Sequence, residues 1–155
     1  MPLTKIPVKT QDGEHLQIDV AVIKFSDVLS DMIEHTNVNI HENDTMEEIN
    51  FECTAIAAKK VEEWCIFNTG GGHTPEDVKA FEKTLVDVHV DIIWDLILAG
   101  EFLGIKRFIE ITCDKARVEM EGLSTEELRS KFSIENDFDA DEYQNILDQN
   151  KWTQC

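Results

Sequence analysis

Residues able to carry out acid–base or metal chemistry are scattered along this sequence and form no recognisable catalytic motif. The five histidines, at positions 15, 35, 41, 73 and 89, form neither an HExxH pattern nor a Cys/His group at zinc spacing. Asp91 and Asp95 are four residues apart, so a helix would place both carboxylates on one face. Such a pair could exchange protons, but like charges at this spacing are more typical of a solvated or partner-facing edge. The sequence therefore predicts no enzymatic activity, no metal and no cofactor.

One acidic segment imitates a calcium-binding loop. Aspartates at positions 137, 139 and 141 match the first, third and fifth positions of such a loop. The sixth position is Glu142 where the loop needs glycine for a sharp turn, and the twelfth is Asp148, which is shorter than the usual bidentate glutamate. The pattern instead favours a helix that begins after Asp139, because Glu142 completes a capping box.

A glycine triplet, Gly70 to Gly72, is the other segment that resembles a binding motif. It lacks the lysine and the following hydroxyl residue of a phosphate-binding loop. Thr74-Pro75-Glu76 comes soon after it and is typical of a helix start, with an N-cap hydroxyl before a proline. The sequence therefore predicts a flexible insert at residues 69–73.

The charge balance restricts the partners that this chain can attract. Its 155 residues include 32 acidic and 14 basic side chains, a formal net charge of -18. This field repels phosphate backbones and anionic lipid heads, so nucleic acid and membrane surfaces are not expected partners. No apolar run approaches the length of a membrane-spanning helix. The four cysteines lack CxxC spacing and no secretory signal is visible, which predicts reduced thiols and a cytoplasmic and nuclear location.

The periodicity of apolar residues predicts a mixed α/β fold that becomes helical toward its end. Alternation in residues 6–8 and 16–20, with turn residues between, predicts a β-hairpin, and residues 49–51 predict a short third strand. Two short helices broken near Phe25-Ser26 are expected between the strands, and a helix capped by Thr54 is expected after them. Residues 37–48 are polar and predict a loop. Residues 88–103 are apolar on nearly every face, which predicts a central helix with Trp94 in the core, as Trp64 should be.

The last fifty residues differ from the rest because their helices are short. Capping boxes begin helices at Ser124 and Asp139, and each helix has an apolar stripe. Between Ser133 and Asn150 there are six acidic residues and no basic one. Helices of this length are marginally stable unless they dock, so this region is expected to bind another protein. Trp152, near the end of a polar tail, is interpreted as a binding residue.

Several short sequence runs, spread over nearly the whole chain, closely resemble the Skp adaptors of SCF ubiquitin ligases. The runs that carry the resemblance are Lys59-Lys60-Val61, Trp64-Cys65, Leu96-Ile97-Leu98-Ala99, Ile111-Thr112-Cys113, Glu126-Glu127-Leu128-Arg129 and Asn136-Asp137-Phe138. The resemblance implies a BTB/POZ-like α/β fold, with a small three-stranded sheet and helices in residues 1–104, and C-terminal helices in residues 105–155. It also implies a non-enzymatic adaptor that bridges an F-box protein to a cullin scaffold for substrate ubiquitination.

The resemblance also implies which residues meet each partner. The implied F-box-binding residues all lie in the C-terminal region: Leu128, Phe132, Ile134, Asn136, Phe138, Tyr143, Ile146, Leu147, Asn150 and Trp152. Cullin binding is implied at Glu101 and Phe102, where the family usually has Asn-Tyr. A carboxylate at position 101 would oppose that contact. The alternative is therefore a Skp-like interaction or structural protein that retains F-box binding or BTB self-association, as in a homodimer through the BTB portion, but has lost the cullin.

Overall fold

The structure, a computed structural model, describes residues 4–36 and 46–154. These residues form two compact units, which divide between Glu121 and Gly122. Most of the loop predicted at residues 37–48 lies outside the described residues. Among the described residues, no helix has the length and apolar character needed to cross a bilayer.

The first unit contains a three-stranded sheet in the order β2-β1-β3. Its strands are β1 (Lys5–Lys9), β2 (His15–Asp19) and β3 (Ile49–Asn50). β1 pairs antiparallel with β2, so that Ile6 lies opposite Ile18, and it pairs in parallel with β3. Gly13 has φ 82°, which gives the connecting turn a left-handed residue that glycine adopts without strain. The predicted hairpin and third strand are confirmed.

The described residues of the first unit also form five α-helices and one 3-10 helix, which follow these strands or lie between them. They are a 3-10 helix (Val20–Lys24), α1 (Asp27–Thr36), α2 (Ala55–Gly70), α3 (Pro75–Leu85), α4 (Val90–Leu103) and α5 (Lys106–Met120). The hydroxyl of Thr54 accepts a hydrogen bond from the Ala57 amide at 3.4 Å, and Thr74 and Asp77 form a reciprocal capping box. The predicted helix break near Phe25-Ser26 and both predicted N-caps are confirmed.

The core of this unit lies between the sheet and the helices, with α4 against α2 and α5. Trp64 is buried and meets Phe25 and Phe108 edge to face, at centroid distances of 5.2 and 6.1 Å. Trp94 is 41% exposed, so its predicted place in the core is wrong. Helix α4 buries Leu96, Ala99 and Leu103, whereas its apolar residues Trp94 and Leu98 are exposed.

The connection between α2 and α3 is shorter than the predicted insert at residues 69–73. Thr69 and Gly70 belong to α2, where the Thr69 hydroxyl donates to the Cys65 carbonyl at 2.8 Å. Gly71 and Gly72 then adopt φ values of 67° and 76°. The ring of His73 stacks on Phe67 with a centroid distance of 4.0 Å. Local hydrogen bonding thus extends the helix into residues whose types suggested a loop.

The sequence-based boundary at residue 104 lies between α4 and α5, which pack together within the first unit. Gly100 permits this approach, because a Cβ built there would lie 3.0 Å from the Ile109 Cγ1 atom and 3.1 Å from the Phe108 ring. The division into a BTB/POZ-like part, residues 1–104, and a C-terminal helical region, residues 105–155, stays a prediction. The two compact units divide later in the chain, after Glu121.

The second unit contains two short α-helices and a final 3-10 helix. These are α6 (Thr125–Lys131), α7 (Ala140–Gln149) and a 3-10 helix (Lys151–Gln154). Both predicted capping boxes are present, at Ser124 with Glu127 and at Asp139 with Glu142. Neither α-helix contains a buried residue.

Candidate partner-binding surfaces

Large apolar side chains are exposed throughout the second unit. Trp152 is 75% exposed, Ile134 57% and Phe138 49%. Full burial of one such side chain is worth about 1.5–3 kcal/mol, so a partner that covered several of them would gain binding free energy from each. We call this set the C-terminal apolar surface: Ile134, Phe138, Tyr143, Ile146 and Trp152.

The other predicted F-box-binding residues lie near the C-terminal apolar surface in the chain. Some of them are half-buried apolar residues, and the others are exposed asparagines. Leu128 and Phe132 are half-buried and one turn apart, and the Phe132 amide donates to the Leu128 carbonyl at 3.0 Å. Leu147 is half-buried on α7, and Asn136 is exposed. The Asn150 side-chain amide donates to the Ile146 carbonyl at 2.8 Å and so closes the end of α7.

Helical spacing brings the predicted residues of α7 onto one face. Tyr143, Ile146, Leu147 and Asn150 follow at intervals of three, one and three residues, which is the pattern of a single helix stripe. The structure therefore groups Tyr143, Ile146 and Leu147 on one face of α7, with Asn150 as the C-cap. Ile134, Asn136 and Phe138 lie in the segment between α6 and α7.

Side-chain caps fix where these helices begin. The Asp139 carboxylate accepts from the amides of Asp141 and Glu142 at 2.9 and 2.8 Å. At the start of α6, the Glu127 carboxylate accepts from the Ser124 amide at 2.7 Å, and this bond lowers its pKa. The aspartates that imitate a calcium loop thus include a helix cap, and the described residues contain no group of three or more potential metal ligands.

The predicted cullin-binding pair lies at the C-terminal end of α4. Glu101 is exposed, and among the described residues its carboxylate has no hydrogen-bond or ion-pair partner. Phe102 is half-buried and meets Phe51 edge to face at a centroid distance of 5.7 Å. At the other end of α4, Asp91 pairs with His89 at 3.1 Å, while Asp95 accepts from the Thr54 hydroxyl at 3.3 Å. These separate partners do not resemble a catalytic carboxylate pair.

A second apolar surface, which the sequence analysis missed, lies between α4 and α5. It is an open groove of about 520 Å³, lined by Trp94, Ile97, Cys113, Ala116, Arg117, Met120 and Glu121. We call it the α4–α5 groove. Its sequence signal is that α4 has apolar residues on more faces than the neighbouring helices cover. The excess marks a surface that is left open, so the predicted burial of Trp94 is wrong.

Comparison with known proteins gives a consistent set of relatives. Residues 106–153 match the description "Skp1 family, dimerisation domain". SKP1-like protein 1A of Arabidopsis thaliana is 27% identical over 164 aligned residues, which span 98% of each chain. SKP1-like proteins 11 and 12 of the same plant are each 29% identical over 150 residues and 95% of each chain.

Proposed function

We propose that this chain, which is similar to SKP1-like proteins over nearly its whole length, is a Skp1-type adaptor subunit of an SCF-type E3 ubiquitin ligase. Its α/β fold is of the BTB/POZ-like class. In the proposed role it bridges an F-box protein to a cullin scaffold and performs no chemistry itself. The observation that carries the proposal is the C-terminal apolar surface, on a unit whose α-helices bury none of their own residues.

F-box binding is assigned in this proposal to the predicted C-terminal residues. An amphipathic helix binds by laying apolar anchors, three or four residues apart, on a matching surface. The α7 stripe and the exposed Trp152 supply such a surface in the second unit, and the α4–α5 groove supplies another in the first. Aromatic residues are frequent hot spots of interfaces, so Phe138, Tyr143 and Trp152 should contribute most of the affinity.

A second candidate function follows from Glu101. An exposed carboxylate without a partner stands where the resemblance implies cullin contact. Burial of an unpaired charge at an interface is costly, so a chain with this residue is suited to an F-box-binding protein that has lost the cullin. Self-association through the BTB portion is the other property that this alternative retains.

The proposed location is the cytoplasm and nucleus, where ligases of this kind would meet their substrates. It is supported by the exposed free thiol of Cys113, because exposed thiols persist in reducing compartments. Cys53 and Cys65 are buried free cysteines, and burial raises the pKa of each to about 12. Such thiols are poor nucleophiles. Imaging of a fluorescent fusion in living cells tests this location, and accumulation in the secretory pathway would contradict it.

Calorimetry with an F-box segment tests the proposed partner. We expect saturable binding that weakens at least tenfold, or about 1.4 kcal/mol, in Trp152→Ala and in Phe138→Ala. Ile56→Ala is the matched control, because Ile56 is a similarly exposed apolar residue on α2. It should leave the affinity unchanged. Absence of binding, or an equal loss in all three variants, would refute the assignment.

A further inference from the structure

The segment between α6 and α7 combines exposed apolar and exposed acidic side chains. After Phe132 the chain turns at Ser133, whose φ of 53° lies in the left-handed region. The Ile134 amide still donates to the Arg129 carbonyl at 2.9 Å, and residues 134–139 then form neither helix nor strand. Glu135 and Asp137 lie between Ile134 and Phe138 in this segment, and all four are exposed. A partner that covers the apolar residues therefore approaches the carboxylates as well.

Three carboxylates in and next to this segment have no hydrogen-bond or ion-pair partner among the described residues. They are Glu135, Asp137 and Asp141. The remaining acidic residues of the unit are engaged: Glu126 pairs with Arg129 at 2.7 Å, Asp148 pairs with Lys151 at 2.9 Å, and Glu127, Asp139 and Glu142 form caps.

The basic residues of the second unit offer these three carboxylates no spare partner. Arg129 and Lys151 have the ion pairs just described, and Lys131 has an interaction of its own. The described residues of the unit include eight acids and only these three bases. A bound partner with basic side chains can therefore pair with these carboxylates without displacing an existing ion pair.

We propose that the C-terminal apolar surface selects partners whose apolar anchors are flanked by lysine or arginine. The inference rests on the proposed function and defines which F-box segments this chain prefers. A neutral or acidic segment would bury Ile134 and Phe138 while it partly desolvates three unpaired carboxylates, which opposes binding. A basic segment forms ion pairs with them instead. The net charge of -18 adds long-range attraction for the same class of partner.

The test uses one F-box segment made in two versions, with lysine or glutamate at the solvent-facing positions beside identical apolar anchors. Binding to the full chain is measured by fluorescence anisotropy at low and at high salt. At low salt we expect the basic version to bind about tenfold more tightly, because three exposed ion pairs each contribute modestly. The ratio should fall toward one at high salt, because salt screens exposed charges.

Two triple variants separate local selection from net charge. Glu135→Gln/Asp137→Asn/Asp141→Asn removes the three free carboxylates and should reduce the tenfold ratio to about twofold. Asp31→Asn/Glu34→Gln/Glu52→Gln removes three exposed acids of the first unit and should leave most of the ratio intact. All six positions are exposed, so both variants should fold, as circular dichroism would verify.

The outcomes distinguish this inference from the function on which it rests. If both versions bind with equal affinity, the F-box assignment stands and the selectivity is refuted. An equal drop in ratio for both triple variants would also refute it, because selection would then come from net charge alone. If neither version binds, the proposed function fails and the selectivity fails with it.

Discussion

Loss of the Arg107 guanidinium should destabilise the first unit far more than loss of a typical surface arginine. Glu82 is buried at 5% exposure on α3 and accepts hydrogen bonds from two sides. The Trp64 indole donates to its Oε1 atom at 3.3 Å, and Arg107 donates from Nε at 3.2 Å and from Nη2 at 2.6 Å. These bonds to Glu82 are the main cause that raises the pKa of Arg107. The carboxylate thus joins α3 to α2 and α5.

Arg107→Met keeps the length of the side chain and removes the charge. Breaking a buried ion pair by removing one partner costs about 3–5 kcal/mol. The Arg107 side chain is 52% exposed, so water can solvate part of the abandoned carboxylate. We therefore expect the free energy of unfolding to fall by about 2 kcal/mol.

Urea denaturation followed by circular dichroism measures this change. The matched control is Arg117→Met on the same helix, whose ion pair with Glu121 spans 3.7 Å between two exposed side chains. An exposed pair of this kind is worth under about 1 kcal/mol, so the control should lose little stability. Equal losses in Arg107→Met and Arg117→Met would refute the importance of the buried carboxylate.

Three further predictions concern acidic residues. Glu101→Asn should strengthen binding to a cullin N-terminal domain by about 2–5 kcal/mol, or roughly thirty- to several-thousand-fold, in a titration; equal affinities would show that Glu101 is neutral. Calcium should give no saturable calorimetric heat with sub-millimolar affinity, because Asp139 caps α7 and the loop lacks its glycine. Hydrogen bonds from Thr10 and the Ala55 amide lower the pKa of Asp12 from 3.8, so its stabilising contribution is present above that value and is lost as the pH falls through the folded-state pKa. In Asp12→Asn, the urea midpoint of unfolding should therefore depend less on pH below 3.8 than it does in the unmodified chain. The same pH dependence in both proteins would contradict this.

Features set by neighbours in the sequence could be predicted well. The hairpin follows from alternation and a turn glycine, and the caps at Thr54, Thr74, Ser124 and Asp139 follow from one side chain and the amides after it. Each depends on hydrogen bonds within a few residues, which tertiary packing does not override here.

Features set by packing between distant elements could not be predicted. Helical periodicity identified α4 as apolar, but which of its faces is covered depends on α2 and α5, so the exposure of Trp94 was missed. Glu82 looks like an ordinary surface acid until Trp64 and Arg107 are brought to it from other helices. The predicted binding residues could be named from the resemblance. That Glu135 and Asp137 have no partner among the described residues depends on how the chain folds, and the sequence does not show it.

Assembly of three components tests the adaptor role most directly. An F-box domain and a cullin N-terminal domain are mixed with and without this chain, and the masses of the complexes are measured by analytical ultracentrifugation. We predict a one-to-one-to-one complex that forms only when the chain is present and that Glu101→Asn makes more stable. A chain that binds the F-box domain alone, with the cullin domain sedimenting separately even in Glu101→Asn, would contradict the bridging function.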